Sequence, residues 1–176
     1  VQVTMLIGAS AMCVFTMFWT GMTFLLSSPP FEYSVAVIGA VSLVGVVGAL
    51  AGQRVGIFFD RGLFIPALGI GLVVTLLGLA VSAFGSTSII VLIIGAVIFG
   101  VGLQSVQILA QTRMVTIDPA ARSRLNTAFV GGNFIGGAIG SALAGAFWQA
   151  GGWISVMVAA VIVIAIALLI WAINRK

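Results

Sequence analysis

The sequence predicts an all-α membrane protein, with six transmembrane helices packed as one bundle over residues 1–176. Three observations predict it. Hydrophobic residues make up 62% of the chain and charged residues 6%, whereas a soluble domain carries about 25% charged residues and needs them to cover its surface in water. Six apolar runs each reach the roughly 20 residues that a helix needs to cross a bilayer. Finally, every Lys and Arg falls on one side of the membrane if the chain crosses six times.

The runs are residues 3–26, 34–57, 64–84, 89–115, 125–147 and 153–173. The first lacks a basic leader and is too long for a signal peptide, so it reads as a span. "SSPPFE" separates it from the second, and "DRGLFIP" separates the second from the third. "GSTS" follows the third run, "DPAARSR" the fourth and "AGG" the fifth. These joints are short, which predicts antiparallel neighbours and no second domain. Stretches such as "IIVLIIGAVIFG" do not alternate apolar with polar residues, as the strands of a membrane barrel would. The single cysteine, Cys13, lies in the first span and reads as a small buried hydrophobe.

Charge sets the orientation, because bases concentrate on the cytoplasmic side. The joint after the first span holds Glu32 and no base. The joint after the second holds Arg54, Asp60 and Arg61, and the fourth span ends near Arg113, before Asp118, Arg122 and Arg124. Arg175 and Lys176 follow the sixth span, and the joints after the third and fifth are uncharged. Both termini are therefore expected in the cytoplasm. The net charge of +4 is explained by topology, so no nucleic-acid partner is expected. Membrane lipid is the partner this charge pattern leads one to expect.

The loop at residues 52–62 needs more than topology, since acidic residues contribute little to orientation. Gly48, Gly52 and Gly56 share one helix face at four-residue spacing, which suits close helix approach. Gly56-x-x-x-Asp60-Arg61 resembles the core of the cytoplasmic loop signature of the major facilitator superfamily, with "GLFIP" in place of its later glycine and paired bases. "DPAARSRLNTAFVGGNFIGGAIGSALAG", Asp118 to Gly145, resembles the region of the tenth and eleventh helices in bacterial drug and sugar exporters of that superfamily. The resemblance implies one half-bundle of a facilitator-type fold: helices seven to twelve of a twelve-helix transporter, partnered by an N-terminal six-helix half. It also implies alternating access and a cytoplasmic gate containing Gly56, Asp60, Arg61 and Arg113. Asp60 would engage a helix start in the other half and could pair with Arg113.

Gln104, Gln107 and Gln111 share one face of the fourth span, and Asn126 and Asn133 share a face of the fifth. Amides facing hydrocarbon are costly, so these side chains should face protein or a water-filled cavity. Both roles are open to each of them, lining a cavity or hydrogen-bonding across helices. By the resemblance, the first, fourth and fifth spans line the cavity. The cavity is expected at Gln104 and Gln107, which lie deeper, while Gln111 nears the cytoplasmic end. The first span offers Phe15, Trp19 and Met22 around Thr16 and Thr23, and Trp19 is the aromatic candidate. Gly132, Gly136 and Gly140 form one small-residue row, and Gly137, Ser141 and Gly145 another; most are expected to serve tight packing.

No histidine and no metal-ligand cluster or catalytic motif is present in the sequence, so an enzyme is not expected, nor a cofactor or metal. No acid lies deep in a span, so a coupling acid would belong to the other half. The function expected is transport of a small organic solute, with outward direction implied by the resemblance. A half-size transporter or channel that dimerises, and a non-transporting membrane interaction protein, are the alternatives. The chain begins at Val1 without Met, which is the expectation for a segment of a longer protein.

Overall fold

The computed structural model describes residues 1–46, 50, 63–118 and 120–174. Every long described element is helical. Helix α1 is Gln2–Ser27, α2 is Val35–Ser42, α3 is Phe64–Ala83 and α4 is Ile89–Thr116. A further helical run, Arg122–Asn174, is broken at Gly151 and Gly152, giving α5 (residues 122–150) and α6 (residues 153–174). The expected spans one, three, four, five and six are thus present. Of the second, the structure describes an apolar helical stretch Val35–Val46; Gly48, Gly52, Gly56, Asp60 and Arg61 lie outside the described residues.

Local chemistry explains the helix ends. The hydroxyls of Ser27 and Ser28 both donate back to the Phe24 carbonyl, at 3.1 and 2.8 Å, an acceptor that the last turn leaves open. Pro29 and Pro30 follow and do not continue the helix. Pro66 sits in the first turn of α3, where its missing N–H would have had no intrahelical partner. Asp118 Oδ1 accepts from Ala120 N at 2.9 Å and turns the chain from α4 into α5. Between α5 and α6, Gly152 has φ 63° and ψ −150°, a backbone region essentially confined to glycine. Two residues therefore suffice to reverse the chain.

Side-chain contacts fix how the helices run. Trp153, at the start of α6, donates through Nε1 to the Ser82 carbonyl near the end of α3, at 2.9 Å. Trp171, near the end of α6, donates to the Ile65 carbonyl at the start of α3, also at 2.9 Å. Helices α3 and α6 are thus antiparallel. One end of the bundle holds the starts of α1, α3 and α5 and the ends of α4 and α6. The described bases Arg113, Arg122 and Arg124 all lie at that end, and Glu32 lies at the other.

Backbones meet closely in two seams. In the antiparallel α3–α4 hairpin, a Cβ on Gly78 would strike the Phe99 backbone, one on Gly102 the Thr75 backbone, and one on Gly95 the Ser82 side chain and backbone. In the parallel α1–α5 seam, Gly136 lies against the Ala9 carbonyl, and Gly140 against the Cys13 carbonyl and Thr16 hydroxyl. The rest of the two glycine rows behaves differently. Gly137 makes ordinary contacts with Thr16 and Met12, whereas Gly132 and Gly145 face open space. Between the seams, Phe18 of α1 stacks on Phe99 of α4 with centroids 4.2 Å apart and meets Trp153 at 5.9 Å. Met22 joins this core, at 1% exposure.

The seams make a direct prediction. Gly78→Ala should lower stability by about 1–3 kcal/mol, the usual cost of overpacking, because the obstructing atoms are Phe99 backbone. Gly132→Ala should be neutral or slightly stabilising, since a Cβ there meets nothing within 4 Å. Melting temperatures of the two purified variants check this; equal values would show that the α3–α4 seam does not limit stability.

Candidate functional site

The five amides and Trp19 separate into three environments. The first is a recess of about 460 Å³ lined by Phe15 and Trp19 of α1, Ser42, Gly45 and Val46 of the α2 stretch, and Gly100, Leu103 and Gln104 of α4. The lining residues of α1 and α4 lie well inside those helices rather than at the ends. Trp19 is held in place on three sides. Phe15 and Phe18 meet it edge-on, at 6.3 and 5.6 Å between centroids. Gly45 lies against the six-membered part of the indole, where a Cβ would come within 2.8 Å of its Cζ2 atom. Gln104 is half-buried, and no described residue hydrogen-bonds its amide. Its donors and acceptor are therefore open to the recess.

The second environment is a helix junction. Gln107 Nε2 donates to the Gly8 carbonyl at 3.1 Å, and Gln107 Oε1 accepts from Asn133 Nδ2 at 3.3 Å. One amide thus ties α4 to both α1 and α5. Gly8 permits the approach: a Cβ there would run into the Phe129 ring and come within 3.3 Å of Asn133 Oδ1. That oxygen is buried with no protein partner among the described residues. Gln107 and Asn133 are therefore engaged between helices, whereas Gln104, one turn earlier on α4, is not.

The third environment is at the charged end. An open recess of about 740 Å³ between α4 and α5 is lined by Gln111, Thr112, Arg122, Ser123 and Asn126, among others. Gln111 is exposed there. Although this recess is larger, it lies at the helix ends. The Trp19–Gln104 recess instead lies at the mid-length of α1 and α4. Arg113 occupies a separate place, with its guanidinium carbon 4.6 Å from the centroid of the Phe64 ring. This cation–π contact holds the end of α4 to the start of α3. The structure describes no contact of Arg113 with Asp60, which lies outside the described residues.

The remaining first-span candidates are spent on the backbone. Thr16 Oγ1 lies 2.9 Å from the Gly137 carbonyl across the α1–α5 seam, and Thr23 donates to Trp19 O at 2.9 Å. Sequence reasoning passed over Ser42 and Gly45. A signal existed for Ser42, which is the only polar side chain in residues 35–50. Gly45 carried none, because its role is visible only once Trp19 lies against it.

No protein-family model matches the chain. Two curated relatives, from Escherichia coli K12 and Escherichia coli O157:H7, are 40% identical over 166 residues, or 94% of this chain, and both are described as the uncharacterized transporter YgaY. The chain is homologous to part of a transporter. It spans 42% of the length of the curated relatives it matches. Among solved structures, the POT family transporter PepTSo, determined in meso, superposes with a TM-score of 0.75 and 16% identity, covering 99% of this chain and 37% of that one. That likeness shows the fold. An apolar multi-pass bundle with transporter homologues is thus established.

The sorting of the amides is testable by stability alone. Gln107→Ala leaves Asn133 and the Gly8 carbonyl without their shared partner. Interhelical hydrogen bonds in membranes are worth about 0.6 kcal/mol on average and up to about 2 kcal/mol, so a loss of about 1 kcal/mol is expected. Gln104→Ala should stay within about 0.5 kcal/mol of the parent, as for substitutions that break no buried contact. Thermal melts of both variants decide it, and a larger loss for Gln104→Ala would reverse the assignment.

Proposed function

We propose that the chain is the C-terminal six-helix half of a twelve-helix transporter of the major facilitator type, and that the whole protein exports a small organic solute by alternating access across a bacterial inner membrane. The observation that carries this reading is the mid-bundle recess, with a fixed indole and an unengaged amide, in a chain homologous to part of a transporter. The relatives extend well beyond the aligned region, which leaves room for a second half. Large apolar side chains such as Phe134 and Ile135 of α5 are exposed, at 73% and 65%; lipid and the N-terminal half are the partners that would cover such surfaces.

In this reading Trp19 and Gln104 form one wall of the substrate cavity. Gln111 and Asn126 line its cytoplasmic mouth, and Gln107 and Asn133 hold the wall together. Gly56, Asp60, Arg61 and Arg113 form the cytoplasmic gate. A gate carboxylate stabilises one state of the cycle more than the other, and only such a difference shifts populations. The one-sided placement of Arg113, Arg122 and Arg124 supports cytoplasmic termini.

Three outcomes are expected. The full-length protein, expressed in a bacterial strain lacking its major exporters, should lower the accumulation of at least one aromatic solute, and Asp60→Asn should abolish that effect at normal expression. Unchanged export by Asp60→Asn would remove the gate role. The isolated chain in liposomes should give no flux; robust flux would favour a dimerising half-size transporter. In a Cys13-free background, a cysteine at position 86 should react with an impermeant reagent in intact cells and one at position 122 should not. The opposite pattern would overturn the orientation.

A further inference from the structure

We propose that the recess between Trp19 and Gln104 selects an uncharged aromatic solute that carries one carboxamide-like hydrogen-bonding group. This rests on the transport reading and adds the chemical class of the substrate.

Shape supplies the first argument. A recess of about 460 Å³ lies within the range of roughly 300–1,000 Å³ usual for small-molecule sites, and it has room for a bicyclic ring. Gly45 and Gly100 bring backbone, not side chain, to the wall. Trp19 cannot swing toward α2 because Gly45 already lies against its ring, and Phe15 and Phe18 hold it edge-on. The indole is thus a preset flat surface, and offset or edge-on contact with an aromatic solute is the interaction it offers.

Polarity supplies the second. The polar groups of the described lining are the Gln104 amide, the Ser42 hydroxyl and the indole N–H of Trp19, and no described lining residue is charged. The Ser42 hydroxyl already donates to the Ile38 carbonyl at 3.0 Å, so it has only acceptor capacity left. The Gln104 amide has both donors and its acceptor unengaged among the described residues. An amide is self-complementary: a carboxamide on the solute can give and take one hydrogen bond each with Gln104. A carboxylate would meet only neutral donors, the N–H groups of Gln104 and the indole N–H of Trp19, and an ammonium no counter-charge in the described lining, and either would lose its hydration on entry.

A cation held by aromatic rings is the rival chemistry. The geometry disfavours it. A cage presents several ring faces to one point, whereas Phe15 and Phe18 turn toward Trp19 at interplanar angles of 61° and 90°. Their contacts are spent on the indole. The Arg113–Phe64 pair lies at the helix ends and takes no part.

A matched series separates the possibilities: 2-naphthamide, 2-naphthoate and 2-naphthylmethylammonium, which share a ring and differ in charge. Tritiated 2-naphthamide is bound to the purified full-length transporter, and the other two compete. We expect the amide to bind at least tenfold more tightly than either charged compound. Gln104→Leu should weaken it about tenfold or more, while Gln104→Glu should move the preference toward the ammonium. Trp19→Ala should remove binding of all three. Trp19→Phe keeps a ring in place should Trp19→Ala fail to fold, and it should retain weakened amide binding with the same charge order. Equal or tighter binding of a charged member, indifference to Gln104, or no binding of any of the three would overturn the assignment. Export of a charged solute by the same protein, with no competition from 2-naphthamide, would sink the substrate class and leave transport intact. The expected binding pattern without any flux in liposomes would sink transport and leave the site.

Discussion

Close backbone approach is the constraint on which the rest of this structure depends. Lipid is as apolar as the side chains it surrounds, so burial alone does not drive one transmembrane helix against another. Packing and interhelical hydrogen bonds must do so. The α3–α4 hairpin meets through Gly78, Gly95 and Gly102, and α1 meets α5 through Gly136 and Gly140. Each of these glycines lies where a Cβ would strike a neighbouring backbone or side chain. With helix pairs fixed this way, larger side chains fill the space between them. Phe18, Phe99 and Trp153 bring α1, α4 and α6 to one aromatic junction, and Trp153 also reaches the α3 carbonyl of Ser82.

The same constraint governs the polar groups. Most hydroxyls inside the helices return to their own helix: Thr75 donates to Gly71 O at 2.8 Å and Ser105 to Val101 O at 2.6 Å. Such groups cost little in an apolar medium because they are already satisfied. The long amides cannot do this so easily. Gln107 solves the problem by reaching Gly8 and Asn133, and this strengthens the junction of three helices. Gln104 does not reach another helix and instead faces the recess beside Trp19. In an otherwise self-satisfied bundle, an unengaged amide beside a braced aromatic ring stands apart, and the proposed binding surface rests on that pair.

Much of the fold was legible in the sequence. The long apolar runs, the break at "AGG" and the end of the bundle that carries the bases followed from elementary rules: a bilayer of fixed thickness, the special backbone freedom of glycine, and the asymmetric placement of Lys and Arg. The recess was legible in part. Trp19 and Gln104 could be nominated from residue type and helix face, and Ser42 could have been. Gly45 could not, because nothing in an apolar run marks the one glycine against which an indole rests. The gate loop stands on resemblance alone, since residues 51–62 lie outside those described.

The sequence by itself determined that this chain lives in lipid, that it is helical, and which residues could share a face. It did not determine what each face meets. Gln104 and Gln107 look equivalent in one dimension, because the helical repeat places both on the same side of α4, with Gln111 set apart only by its nearness to the charged end. Tertiary structure separated them: Gln104 faces an aromatic recess, Gln107 a carbonyl and an amide of two other helices, and Gln111 the open charged end. The physical reason is that periodicity sets the direction of a side chain, whereas its partner depends on how closely neighbouring helices approach. That distance is decided by glycines on those other helices, far away in the chain.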